Sequence, residues 1–590
     1  MKKTLPADQL TLSNVMSELL QSAYSTATHP ALKALLPKPE EITPKAAKVA
    51  DQAVILHQSG EDSPEPNQLW RARQYLALMS KNSHLSQSDD GDRRTACYEK
   101  FKSVQVRNRI TTRRLNYYLR HPSRMSPTVA VVLGHAALDV QKLLGAQLST
   151  DDWRTFNVAK VFSNGTSQGL RPVGIGPRRV RALKDTTAYG KLAPGNTITT
   201  TVDCLVTFGG PLMKGASANY LSKRNASLVN GARGTSVPKD AEVDRFIAVE
   251  PALNGMAQQG LRAVLEKRLR NWGVTLDKQS RNQDLARIAS EKGFSPQGYS
   301  TIDLSSASDT ITAPLVEYLL PKGWYRLIDA ARSPEVEIEG ETVTGYSSFM
   351  TMGNATTFPL QCLLFAAITR ACIRMCSCDE REYRVYGDDI IIPSSASALL
   401  IEVLRFVGFR TNVQKSFVIG FFRESCGGDY LCGVDVTPIK LTEDITLAST
   451  RHVLFNLIQR RAPSHPVLFS LYRTFRKPLI GPAVAKDGVA DSHLECPHHK
   501  LLGRGRSWYA HREQTIFCRV PILVSESFQV ERPDSERSYL AALSGQGMTG
   551  NNDAVRRHGL RDSAMLHVRG TVFNLGTCLR LERYSLVWTL

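Results

Sequence analysis

The chain has 590 residues, of which 42% are hydrophobic and 22% charged. This is ordinary globular composition, and the length exceeds one simple core, so several packed subdomains are expected. Lysine and arginine number 74 against 55 acids, a net charge of +19 that points to a polyanionic partner and away from a cationic one.

An acidic membrane surface would also satisfy that charge, but the sequence argues against it. Met1-Lys2-Lys3 runs into Leu5-Pro6-Ala7-Asp8 instead of an apolar signal region. The most apolar run, Leu360 to Ile373, is short of a span and carries Arg370. A soluble, cytoplasmic chain is expected. The 11 cysteines are odd in number and form no framework, which fits reduced thiols. Neither Cys372, Cys376 and Cys378 nor His493, Cys496, His498 and His499 have the paired spacing of a structural zinc site, and both groups read as metal-free.

Residues 1–60 read as polar-faced helices broken at Pro37, Pro39 and Pro44. Residues 60–95, rich in Ser, Asp, Glu and Asn, read as a connector around a short helix near Trp70–Leu78. Arginines and lysines from Lys102 to Arg124 are then interleaved with Tyr117 and Tyr118. Two readings stay open here: phosphate binding with bases stacked on tyrosine, or a solvated basic face with the tyrosines turned inward. A second basic run, Pro177–Lys184, follows the glycines of 171–176 and matches no dinucleotide or P-loop pattern. Residues 197–208 are Thr/Val-rich and strand-like. Lys239 and Arg245 flank a turn that opens a strand, where two cations could grip a triphosphate. Residues 254–270 read as an amphipathic helix with a basic end.

Tyr299–Asp303 reads as a short strand ending in an acid, followed by small polar residues and a helix from about Thr312, with Pro314 in its first turn. Asp309 sits where a helix cap would sit, whereas Asp303 comes too early for one and suits a metal ligand. Tyr346–Pro359 is dense in Ser, Thr, Asn and Gly before a long apolar helix. Gly353 would let a backbone approach closely, and Asn354, Ser348 and Thr356 could hydrogen-bond a ribose. Residues 381–394 then read as a β-hairpin, one strand run ending at Tyr386 and the next beginning at Ile390, with Gly387, Asp388 and Asp389 at its tip. Adjacent carboxylates between apolar strands repel and resist desolvation unless a divalent cation lies between them. A helix over about Ser397–Val407 and a segment carrying Lys415 follow, and beyond about 440 the chain reads as helical, basic and punctuated by proline.

As an ordered set, Ile302-Asp303-Leu304-Ser305-Ser306-Ala307-Ser308-Asp309, Met352-Gly353-Asn354, Tyr386-Gly387-Asp388-Asp389, Phe422-Arg423-Glu424-Ser425-Cys426-Gly427 and Gly433-Val434-Asp435 resemble the replicase β subunit of the single-stranded RNA phages, the leviviruses. Val237-Pro238-Lys239 with Asp244-Arg245 and the outlying Phe162-Ser163-Asn164-Gly165 extend the resemblance, whose strong part runs from about 235 to 440. The resemblance implies an α+β, helix-rich right-hand polymerase. Residues 1–290 would hold the N-terminal region and most of the fingers, 291–440 the palm with a fingers insertion at about 320–346, and 441–590 the thumb and C-terminal region. It implies RNA-directed RNA synthesis from ribonucleoside triphosphates on an RNA template, in the cytoplasm of an infected bacterium.

By the same resemblance, Asp303, Asp388 and Asp389 would hold two magnesium ions, with manganese as a substitute. Lys239 and Arg245 would steer the triphosphate, and Asn354, Ser348 and Gly353 would surround the ribose. Lys415 would protonate pyrophosphate, and Arg423 would brace the primer side or the triphosphate. Host elongation factors Tu and Ts and an mRNA-binding ribosomal protein are the implied partners. The sequence departs from the broader polymerase pattern in carrying Ser308 and Asp309 where an aspartate five positions after Asp303 is usual, so Asp309 is left between sensing the ribose and capping the helix. A reverse transcriptase shares the acidic hairpin but not the Tyr-Gly-Asp-Asp wording, and a non-catalytic RNA-binding repressor leaves the three aspartates unexplained.

Overall fold

The computed structural model describes residues 12–61, 64–80, 90–160 and 231–461 apart from 241, 294, 296, 344–346, 380–381, 442–444 and 446–447. It also describes stretches at 197–198, 227–229, 482–483, 494–495, 507–510, 515–529 and 569–585. Phe162–Gly165 and the basic run Pro177–Lys184 lie outside the described residues, as do most of 197–208 and all but Leu494 and Glu495 of the histidine-rich stretch.

The chain begins with helices at Leu12–Thr26, Pro44–Ser59 and Pro66–Ser80. Thr43 caps the second, its side chain accepting from the Ala46 N–H, and Pro44 occupies a first-turn position where no N–H is needed. The connector expected over 60–95 is mostly helix. Leu69, Ala72, Tyr75, Leu76 and Met79 recur at helical spacing and bury one face, which outweighs the polar composition around them. That face does not form a domain by itself. It packs with Phe417, Phe422, Leu431, Val436, Ile439 and Ile458 into one core, so residues more than three hundred apart fold together.

The basic segment forms one 31-residue helix, α1 (Asp90–Arg120). Its inner face carries Cys97, Tyr98 and Phe101 against the strand pair β1 (Ala232–Pro238) and β2 (Asp244–Val249). Phe101 stacks on Phe246 with ring centroids 3.8 Å apart. Arginines line its exposed side, as either reading of the basic segment requires, while Tyr118 packs on Phe406 and Tyr117 stays half exposed, so the tyrosines turn inward only in part.

The largest core gathers helices Pro127–Leu144, Ala252–Leu269, Ala313–Leu319 and Lys322–Ala331 around one long apolar helix, α2 (Thr357–Met375). Among the described residues α2 alone is long and apolar enough to cross a membrane, but 78% of its apolar window is buried inside the protein, as in a core helix. Arg370 leaves that core beside the Trp272 and Tyr383 rings. Below α2 lies a three-stranded antiparallel sheet. Strand β3 (Tyr299–Ile302) pairs with β5 (Asp389–Pro393), which pairs with β4 (Arg384–Tyr386), and helix α3 (Ser394–Val407) follows. A further hairpin, β6 (Phe422–Ser425) and β7 (Gly428–Leu431), runs back toward the N-terminal helices.

The C-terminal part differs from the helical expectation. After a helix at Ala448–Arg461, the described residues form an antiparallel sheet of Ser507–Ala510, Thr515–Gln529 and Arg569–Ser585. Thr515–Val524 is rich in β-branched and aromatic residues, and this preference carries more weight than the basic charge.

Candidate active site

The acidic hairpin forms as its sequence predicts. Tyr386 pairs with Asp389 across a two-residue turn, Gly387–Asp388. Gly387 has φ +64°, a conformation that favours glycine in the first central position of such turns. The tip is pinned from above by α2: Gly387 N–H donates to the Cys362 thiol sulfur at 3.0 Å, and Phe358 meets Tyr386 edge-on at 4.9 Å.

The third acid arrives by strand pairing. Ile302 of β3 pairs with Ile390 of β5, so one step further along the ladder Asp303 comes beside Asp389. The approach has an electrostatic cost. Burial, then Asp388, Asp303 and Glu424, push the Asp389 carboxyl up to about 7. Burial also raises Asp303, against the pull of Lys415. Asp303 is further anchored by Asn412, whose side-chain amide donates to its carboxylate at 2.7 Å and whose backbone N–H donates to its carbonyl at 2.8 Å. Lys415 stands 3.5 Å from Glu424 and is held above the ordinary lysine value, first by Glu424 and then, against burial, by Asp303 and Asp389.

Among the described residues no three His, Cys, Asp or Glu side chains gather tightly enough to form a ready-made metal cage. Mutual repulsion keeps bare carboxylates apart, and magnesium binds through one or two of them together with waters and substrate phosphates. Asp388 adds to the proton affinity of Asp303, and both add to that of Asp389; a cation among the three would relieve that repulsion.

Lys239 and Arg245 come from the β1–β2 turn. Lys239 N–H donates to the Val243 carbonyl, and Asp240 accepts from the Glu242 and Val243 N–H groups while pairing with Lys48 at 2.7 Å. Both cationic side chains are exposed. Surrounding protein, Arg245, Lys415 and Lys100 hold the Lys239 pKa below its ordinary value. The turn is thus electrically linked to Lys415 and the acids.

Four expected site residues face inward in this arrangement. Ser348 is buried; its hydroxyl donates to the Asp309 carbonyl and meets Gln105 and Asn108 of α1, so it fastens two loops together rather than facing a ribose. Asn354 is buried too. Its amide N–H donates to Glu250 at 3.2 Å and its carbonyl accepts from Thr356, so its hydrogen-bonding capacity is used within the loop. Arg423 is fully buried and donates to the carbonyls of Tyr299, Gly420, Phe422 and Gly293, with burial pulling its pKa down to about 10. It braces the backbone behind the sheet, not a substrate. Asp309 does not cap the helix: Thr312 is the N-cap residue and makes no side-chain cap bond. Burial lifts the Asp309 carboxyl to about 7, with Lys100 its main attraction.

Gly353 does let a backbone approach closely, as expected. It has φ +111°, and a Cβ there would lie 2.0 Å from the Ala248 carbonyl oxygen. The close approach lets the Ala248 N–H donate to the Met352 carbonyl at 2.8 Å. Gly353→Ala is expected to cost at least about 2 kcal/mol, read as a lowered denaturation midpoint, because it adds both a clash and backbone strain.

Sequence reading missed Gln105, Asn108, Asn412, Glu424 and Glu250. Only Glu424 left a signal: in a strand, neighbours point to opposite faces, so a buried Arg423 places Glu424 toward the acids. Glu250 is buried and accepts from Ser333 and Asn354. Burial raises its pKa, so the folded state holds the proton more tightly than the unfolded one. The stability it contributes is greatest at low pH and falls as pH rises from the unfolded glutamate value toward the folded one. Glu250→Gln is expected to remove that slope, leaving the variant relatively more stable at pH 8 than at pH 4.5 in paired denaturation curves.

Residues 25–554 match the family model described as RNA replicase, beta-chain. The RNA-directed RNA polymerase subunit beta of Escherichia virus Qbeta is 34% identical over 339 residues, covering 55% of this chain and 55% of that relative. The corresponding subunit of Enterobacteria phage SP is 34% identical over 369 residues, 62% of this chain and 60% of its own. The beta chain of Escherichia phage MS2 is 35% identical over 293 residues, 48% of this chain and 50% of its own. The chain thus spans about half the length of the curated relatives it matches. Among solved structures, the BmCPV RNA-dependent RNA polymerase at elongation state aligns at 12% identity and a TM-score of 0.38, over 59% of this chain and 33% of that one, too slight a likeness to carry an argument.

Proposed function

Because the chain belongs to the RNA replicase beta-chain family, we propose that it is an RNA-directed RNA polymerase that extends an RNA strand from ribonucleoside triphosphates on an RNA template. The observation that carries this reading is the register of β3 on β5, which sets Asp303 beside Asp389 at the tip of the acidic hairpin. A solvated acidic turn would have no need of a third, half-buried carboxylate at a strand end 86 residues upstream, nor of Lys415 and Lys239 within electrostatic reach. The surrounding architecture is read as a right hand, with the β3–β5–β4 sheet as palm, α1 and the β1–β2 hairpin as fingers, and the chain beyond 440 as thumb.

Asp303, Asp388 and Asp389 would hold two magnesium ions, for which manganese could substitute. When bound, the metal supplies activation of the 3′-hydroxyl and stabilisation of charge on the transferring phosphate. The chain's own groups account for the rest. Lys239 and Arg245 bind the triphosphate from an exposed turn. Asn412 orients the Asp303 carboxylate. Lys415, charged and poised beside Glu424, is placed to give its Nζ proton to the departing pyrophosphate. Ser348, Gly353 and Asn354 act one layer back, holding the loop above the hairpin. The ribose contact is left to backbone or to residues outside this set. Host elongation factors Tu and Ts and an mRNA-binding ribosomal protein are proposed as partners through the family resemblance, with activity in the bacterial cytoplasm.

The test is incorporation of labelled ribonucleotides on an RNA template by the purified chain, with and without host extract. Template-dependent incorporation that needs a divalent cation supports the reading. A chain that binds RNA but incorporates nothing under either condition overturns it, and preferential use of deoxyribonucleotides would make it a reverse transcriptase.

A further inference from the structure

Resting on that reading of the site, we infer that Arg107, Arg410 and Lys100 form an outer phosphate seat that captures the terminal phosphates of the incoming ribonucleoside triphosphate ahead of Lys239 and Arg245. Lys100, Arg107 and Arg114 lie seven residues apart on α1 and so share one flank, about 10 Å from one to the next. That flank meets the segment after α3. Thr111, one turn from Arg107, packs so tightly on Gly408 that a Cβ there would lie 2.6 Å from its methyl group. Arg114 donates to the Phe406 carbonyl at 2.6 Å and stands over the Phe406 ring. Arg410 follows Gly408 by two residues, and its carbonyl accepts from the Ser305 N–H at 2.8 Å, within the strip of chain that leads from Asp303. At the other end of the flank, the stack of Phe101 on Phe246 brings Lys100 to the β1–β2 hairpin, where Phe246 directly follows Arg245.

Arg107 and Arg410 are brought together without compensation where this flank meets the segment after α3. Arg107 is half-buried, and among the described residues neither it nor Arg410 has an acidic partner. Burial and the charge of Arg410 together hold the Arg107 pKa below its ordinary value. Lys100 acts on both Lys239 and Asp309. Guanidinium groups held near one another are favourable when an anion with several oxygens lies between them. An RNA backbone spreads its charge along a line, one phosphate per nucleotide, and calls for an extended row of cations. Here Lys100 lies within electrostatic reach of Lys239, and the Arg410 carbonyl is tied to Ser305, two residues from Asp303, so the flank ends beside the reacting centre, where the concentrated charge of a triphosphate would lie.

The experiment compares the full chain with Arg107→Gln, Arg410→Gln, the double variant and the conservative Arg410→Lys, each first matched to wild type in unfolding midpoint. Steady-state incorporation is expected to show KM for the ribonucleotide raised about tenfold in the double variant, kcat within about twofold, RNA affinity at fixed salt unchanged, and Arg410→Lys close to wild type. Calorimetric binding of inorganic tripolyphosphate to the metal-free chain is expected to weaken by the same factor. A fall in RNA affinity at constant KM would assign the pair to the nucleic-acid backbone and overturn the proposal, as would unchanged KM and unchanged tripolyphosphate binding. If wild type binds tripolyphosphate through this pair but incorporates no nucleotide, the anion seat stands and the polymerase reading falls.

Discussion

Asp388→Asn is expected to abolish nucleotide incorporation while RNA binding largely survives. Asparagine keeps the size of the side chain and suits the tight turn, so the hairpin should form. What disappears is one of the negative charges that face Asp389 and Asp303. Metal-assisted stabilisation of a transferring phosphate is worth several kcal/mol, and a loss of about 4 kcal/mol slows the reaction about a thousandfold. RNA affinity rests on the basic surface, with a chain-wide excess of +19, and one neutralised acid scarcely alters it. The measurement pairs incorporation rate with RNA binding on the same preparation. A variant that polymerises at the normal rate would remove Asp388 from the metal site.

Arg73→Met is expected to destabilise the chain by about 3–5 kcal/mol, because it leaves a buried carboxylate without its counter-charge. Arg73 is 5% exposed and sits between Asp429, at 2.8 Å, and Asp51, also at 2.8 Å. It further donates to the Val436 carbonyl and lies over the Phe422 ring. Asp429 is 2% exposed, and burial raises its carboxyl above the usual range even beside the guanidinium. This contact joins the N-terminal helices to β7, beside the strand β6 that carries Arg423 and Glu424. The double variant Arg73→Met/Asp429→Leu should recover much of the loss, since an apolar pair of similar volume needs no desolvated charge. Chemical denaturation of the four members of the cycle measures it. A single variant as stable as wild type would show that the pair contributes nothing, and the loss should appear in activity only through the folded fraction.

The local parts of the site are legible in the sequence. Gly387-Asp388 between two β-branched runs specifies a hairpin through backbone conformation alone, and Asp303 closes a four-residue strand by the same short-range logic. The apolar helix after Pro359 and the helix after Pro314 follow from spacing and proline position. The direction of the polar side chains is not legible there. Ser348, Asn354 and Arg423 have the right chemistry for a substrate contact, yet each finds partners on chain segments 39 to 243 residues away and turns inward. Residue type sets what a side chain can bond, but packing sets which groups come within reach.

The chemical inventory is written along the chain: an acidic turn, an acid at a strand end, two cations beside a turn, and an ordered set of motifs specific enough to indicate the family. Which of these meet depends on long-range packing. The β3–β5 register brings Asp303 to Asp389, α1 ties the β1–β2 hairpin to the loops around Asp309 and Ser348, and Arg73 joins the first eighty residues to β7. Those contacts close long loops. Their entropic cost is met only when many apolar side chains are buried together, so no short window of sequence contains the information that selects them.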